Sequence, residues 1–128
     1  LTSAVDPDPD LYSMTIEEAL STGRPLVIVF ATPLFCSTAT CGPQVEVIET
    51  VKELYKDEVN FIHVEVFDNL HEIEGDLSKA RTAPAVEEWG LVTEPWTFIV
   101  DSEGRIVAKF EAFTTEEELR EHLDIVLK

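Results

Sequence analysis

The chain has 128 residues, 45% of them hydrophobic, and its 9 basic and 26 acidic side chains give a formal net charge of -17. That length suits one domain, and the apolar content is too high for a wholly disordered acidic chain. No run reaches the roughly 18 apolar residues of a membrane span, and the scattered Lys and Arg form no basic stripe for nucleic acid.

Leu1 to Tyr12 contains Asp6, Pro7, Asp8, Pro9 and Asp10. Proline removes backbone donors and the aspartates repel one another, so residues 1–13 predict an arm or linker. A single domain over 14–128 follows. The chain begins with Leu1 and lacks a signal-peptide pattern, the expectation for a product whose upstream targeting segment was removed.

Thr15 and Glu18 form a capping box, so a short helix runs from there to Leu20 or Ser21 and stops at Gly23. Leu26 to Ala31 is unbroken, β-branched and apolar, the pattern of a central strand covered on both faces. A loop over Thr32 to Thr40 holds Cys36. Cys41-Gly42-Pro43 then opens a helix to Tyr55, in which Val47, Ile48, Val51, Leu54 and Tyr55 recur with helical spacing. Pro43 fits the first turn, where its missing N–H costs nothing. Val59 to Phe67 predicts a second strand, parallel to the first through a right-handed crossover.

Asp68 to Lys79 is polar and predicts a loop. A short helix follows from Pro84 to Trp89 and ends at Gly90. Trp96 to Val100, the turn Asp101 to Gly104, and Arg105 to Phe110 make a hairpin. Thr114 and Glu117 read as a second capping box, and the helix from Thr115 to Leu127 buries Leu119, Leu123, Val126 and Leu127. The sum is an α/β fold, a mixed sheet of about four strands with helices on both faces.

The two cysteines, Cys36 and Cys41, are the most informative feature. Closing so short a segment stabilises a fold by only about 2 kcal/mol, so a purely structural staple gains little. Cys41 belongs at a helix N-terminus, where unpaired amides and the helix dipole favour a thiolate. It is the sulfur of expected lower pKa and the favoured attacker, although accessibility could give that role to Cys36. Thr38 and Thr40 are placed to donate to the sulfur or to hold the loop. A metal site needs further ligands, and nothing in the sequence gathers His63, His71 and His122 around the cysteines. Neither a metal nor a cofactor is implied.

These residues resemble the thioredoxin-like superfamily, and most closely bacterial extracytoplasmic thiol–disulfide oxidoreductases, over Pro25 to Leu127. Phe30 to Cys36 resembles the strand leading to the active site, and Cys41-Gly42-Pro43 the start of its helix. Trp89 to Asp101, with Gly104-Arg105-Ile106, resembles the cis-proline strand and hairpin, with Pro95 at the proline position. The resemblance implies a three-layer fold and a redox-active centre at Cys36 and Cys41, with Pro95, Glu94 and Trp96 positioning substrate. Glu94 adds negative charge near a forming thiolate, which raises its pKa.

The spacing departs from the family's Cys-x-x-Cys, and Gln44 stands where the resolving cysteine belongs if Cys41 is the first of the pair. Val29 takes the strand position of the family's buried acid. The leading expectation is thiol–disulfide exchange with a protein or small-thiol partner and no nucleic acid. The location expected is extracytoplasmic, tethered through the missing N-terminal segment. Thr38-x-x-Cys41 also resembles a peroxiredoxin, an alternative that needs Arg81 or Arg105 beside the sulfur. A non-catalytic interaction domain with a fixed disulfide is the third reading.

Overall fold

All six residues of strand β1, Leu26–Ala31, are buried, because a strand covered on both faces has no polar side to show. The computed structural model describes residues 8–32, 41–67, 81–91 and 93–127. Around β1 stand α1 (Ile16–Ser21), α2 (Cys41–Tyr55), β2 (Asn60–Glu65), α3 (Pro84–Glu88), β3 (Trp96–Val100), β4 (Ile106–Glu111) and α4 (Glu116–Val126). The sheet order is β2-β1-β3-β4. β2 lies parallel to β1, from Leu26↔Asn60 to Ala31↔Glu65, and α2 supplies the connection that a parallel pair requires. β3 runs antiparallel to β1 and to β4.

Side chains alternate across the sheet, so each strand feeds two cores. One core joins Val27, Val29, Ala31 and Ile99 to Cys41, Ile48 and Val51 of α2 and to Leu119 and Leu123 of α4. The other joins Leu26, Ile28, Phe30 and Phe98 to Ala19 of α1 and Val86 of α3. The helices therefore cover both faces, as expected. Leu54 departs from its predicted place on the buried face of α2 and is 56% exposed. Val126 and Leu127 pack only partly against the core.

The capping box of α1 forms as predicted. Glu18 N donates to Thr15 Oγ1 at 3.1 Å and Thr15 N to Glu18 Oε1 at 3.0 Å. The box of α4 is one residue later than the sequence suggested: Thr115 and Glu118 form it. Thr114 is unavailable because it is buried and its main chain is engaged by Gln44.

Residues 9–12, read from the sequence as part of an extended arm, instead form a 3-10 turn capped by Asp8. Leu11 is fully buried in the α2–α4 core, and burying a leucine contributes about 1.5–3 kcal/mol. Lys52 Nζ donates to Asp8 at 2.6 Å and to Asp10 at 2.9 Å, and pairs with Glu53 at 2.8 Å. Burial opposes the ammonium charge, but hydrogen bonds to Asp10, Asp8 and Glu53 outweigh it and hold the Lys52 pKa well above the usual range. These three carboxylates are close enough to share a metal ion, and the Lys52 ammonium is bonded to all three. Residues 1–7 and the predicted loop over 68–79 lie outside the described residues. No helix among the described residues is long and apolar enough to cross a membrane.

Candidate active site

Cys41 is the first residue of α2, as its Gly-Pro neighbours predicted. Its side chain is fully buried beside Val29 and Ala31. A helix start is a place where unpaired amides and the helix dipole favour a thiolate over a thiol. Pro43 is exposed in that turn, and Gly42 has open space where a Cβ would stand. Neither is demanded by packing; Pro43 suits the turn because it needs no hydrogen-bond acceptor. There is no free cysteine among the described residues. Cys36, Thr38, Thr40 and His71 lie outside them.

The Glu94–Pro95 peptide is cis. Pro95 is buried and immediately precedes β3, one step beyond the Phe30↔Trp96 pair, so it stands at the end of β1 that leads toward Cys36. Ala112 N donates to Pro95 O at 2.8 Å. Ala112 has φ of +62°, a left-handed conformation costly for a residue with a Cβ. Glu94 is half-buried.

Trp96 and Cys41 are not brought together. Trp96 stacks on Phe98 at a centroid distance of 5.8 Å, in the α1–α3 core. Its Nε1 donates to Thr93 Oγ1 at 2.9 Å, which donates to Glu111 at 2.6 Å. The sheet stands between this ring and the sulfur. Arg105 is also remote. It binds Asp101 in the β3–β4 turn, at the end of the sheet where Val100 pairs with Leu26. It cannot activate Cys41 in a peroxiredoxin-like way.

Two buried polar side chains toward the Ala31 end of the sheet were given no structural role from the sequence. Gln44 is fully buried. Its Nε2 donates to Thr114 O at 3.2 Å, and Thr114 N donates to its Oε1 at 2.6 Å. The signal was present: Gln44 shares the helical stripe of Ile48 and Val51, where a polar residue needs partners. His63 is buried on β2, opposite Val29. Its Nε2 bonds the Ala31 carbonyl at 2.8 Å, and its Nδ1 bonds the Tyr12 hydroxyl at 2.6 Å. A carbonyl only accepts, so Nε2 carries the proton and, in the neutral ring, Nδ1 accepts from Tyr12. Burial pushes the imidazole pKa down, against the opposing pull of the Ala31 hydrogen bond and the Glu65 charge.

A cavity of about 590 Å³ opens at the outer edge of β2, lined by Tyr12, His63, Glu65 and Trp89 among others. Cys41 is not among its lining residues.

No family model and no curated protein matches the sequence. Solved structures do match. The dsbF protein of MTB, in mixed oxidized and reduced forms, is 21% identical, with 81% of each chain covered and a TM-score of 0.62. A thiol:disulfide interchange protein of the thioredoxin family from Chlorobium tepidum is 12% identical, with 88% of this chain and 85% of that one covered and a TM-score of 0.66. The chain has a thioredoxin-like fold. The pneumococcal exposed lipoprotein thioredoxin Etrx1 from Streptococcus pneumoniae is likewise similar, at 14% identity, 83% and 89% coverage and a TM-score of 0.62. In this thioredoxin-like frame, Cys41 opens the helix that follows the central strand, and Gln44 occupies the buried position one turn later.

Proposed function

We propose that the protein is a thiol–disulfide oxidoreductase that works through Cys36 and Cys41. The observation that carries this reading is Cys41 itself: a buried sulfur at a helix start that is not a free thiol. Cys36 is the only other cysteine in the chain. The similar structures support the same chemistry: dsbF is seen in mixed oxidized and reduced forms, and another is a thiol:disulfide interchange protein.

The burial of Cys41 supports different roles for the two sulfurs. An attacking sulfur has to meet a substrate disulfide, and Cys41 exposes no surface. We therefore take Cys36 as the attacker and Cys41 as the resolving sulfur, the assignment that accessibility favours over the one that the helix start favours. The Cys36 thiolate attacks one sulfur of a substrate disulfide, and the other substrate sulfur leaves as a thiolate that takes up a proton. The Cys41 thiolate then attacks Cys36, closes the Cys36–Cys41 bond and releases the second substrate thiol. The substrate gains two electrons and the pair loses them. The reverse sequence delivers a disulfide. Pro95 and Glu94 border the approach to the sulfurs. The partner is a protein dithiol or disulfide. An extracytoplasmic location follows the exposed lipoprotein among the similar structures and the persistence of disulfides outside the cytosol.

The test is trapping with a disulfide-containing unfolded protein. Cys41→Ser should accumulate a mixed disulfide on Cys36, seen by mass spectrometry, while Cys36→Ser should accumulate none. The converse pattern reverses the roles. Wild-type protein that exchanges with no thiol or disulfide overturns the reading.

A further inference from the structure

Gln44 occupies a place in the fold where a polar side chain is expensive. It is fully buried, one helical turn after Cys41. An amide left unpaired there costs about 1–3 kcal/mol. Gln44 avoids that cost by binding both main-chain groups of Thr114, 70 residues away in sequence. Thr114 is itself buried.

The segment that Gln44 grips is held at its other end by the second half of the site. Ala112 N donates to Pro95 O at 2.8 Å, and Ala112 reaches that position only with φ of +62°. Ala112, Phe113 and Thr114 thus form a strap. One end is fastened to the first turn of α2 through Gln44, and the other to the main chain of Pro95. A non-glycine residue persists in this conformation only where its surroundings over-determine it, and these two attachments do so.

We infer that Gln44 is a positioning residue that fixes Cys41 relative to the Glu94–Pro95 edge through the Ala112–Thr114 strap. The inference rests on the oxidoreductase reading and adds a residue that makes its rate depend on the size of the substrate. On that reading Pro95 and Glu94 border the approach to the sulfurs, so a polypeptide substrate meets this edge while its sulfur is transferred, and its rate depends on that spacing. A small thiol meets the sulfurs alone and is indifferent to it. Misplacement by about 1 Å costs up to about 100-fold in a positioned reaction.

Gln44→Met keeps the length and apolar volume and removes both hydrogen bonds. Its rate of exchange with a disulfide-containing peptide should fall about 10-fold, while its reduction by dithiothreitol stays within about twofold of wild type. Gln44→Glu provides a signature that packing alone would not produce. Its carboxylate accepts from Thr114 N but cannot donate to Thr114 O, whereas the protonated acid can. Its peptide rate, divided by the wild-type rate at the same pH, should rise as pH falls from 8 to about 5. Ala112→Pro, at an exposed position, removes the N–H that bonds Pro95 O and forbids the positive φ, so it frees the other end of the strap and should lower the peptide rate selectively.

A folded Gln44→Met with an unchanged ratio of peptide to dithiothreitol rates overturns the positioning role. If that variant does not fold, an unchanged ratio in Ala112→Pro overturns it. Wild-type protein inert toward both reagents overturns the oxidoreductase reading instead.

Discussion

The two faces of the sheet are built from different materials. Between the sheet and α1 and α3, Phe30, Trp89 and Phe98 meet with centroids 4.8–5.8 Å apart, and Trp96 stacks on Phe98. The opposite face holds buried Cys41 together with buried Gln44, Lys52, His63, Glu65, Thr97 and Thr114. Aromatic packing needs only shape and area, whereas each buried polar group needs a partner in a defined direction. The aromatic face contributes stability and the polar face contributes geometry, at some expense in stability. Two of its hydroxyls, on Thr97 and Thr114, have no hydrogen-bond partner among the described residues.

The largest effect that tests this division is on the aromatic side. Phe98→Ala should destabilise the fold by about 3–5 kcal/mol, yet the folded fraction should exchange thiols at the wild-type rate. A large loss of rate in folded Phe98→Ala would break the comparison.

A smaller effect comes from His63. Its pKa is lowered in the fold, so below about pH 6.5 the unfolded chain binds a proton that the native state resists. The contribution is fully present above that pH and is lost as the pH falls through the folded value. Thermal melts between pH 7 and 5 should show stability falling by several degrees, and His63→Gln should flatten that slope. Equal slopes would remove His63 from the account.

The smallest expected effect sharpens the contrast. Thr97→Val deletes a buried hydroxyl without a partner and should stabilise by up to about 1 kcal/mol in a denaturant titration. A destabilisation would mean that the hydroxyl is satisfied after all.

Much of this architecture was legible in the sequence because apolar periodicity and caps are local signals. The unbroken Leu26–Ala31 run gave the central strand, and Thr15-Ile16-Glu17-Glu18 gave the start of α1. The second box was ambiguous for a physical reason. Thr114 and Thr115, followed by three glutamates, satisfy the same pattern in two registers, and only burial of Thr114 against Gln44 selects one. The turn at Pro9–Tyr12 was hidden by its acidic, proline-rich composition, although Asp8-Pro9 is a plausible cap and first position. At the site, the Gly-Pro pair located Cys41, but its full burial depends on contacts with β1 that no local pattern encodes. The Gln44 clamp and the His63 bridge span 70 and 32 residues, separations over which one sequence carries no pairing signal. Which face Trp96 takes was not legible, because a strand's two sides are equivalent until the core is known.

The turn at residues 9–12 also bears on how the domain would carry mechanical load. Tension applied to the chain ahead of Asp8 would reach the Lys52 ion pairs and the buried Leu11 before any strand of the sheet. If those contacts hold, the pull stops at α2 and the core. If they yield, the next connection to strain is Tyr12 to His63, and through it the end of β1. The same few side chains that seat this turn therefore act as a strain relief between whatever pulls on the chain and the strand that leads to the sulfurs.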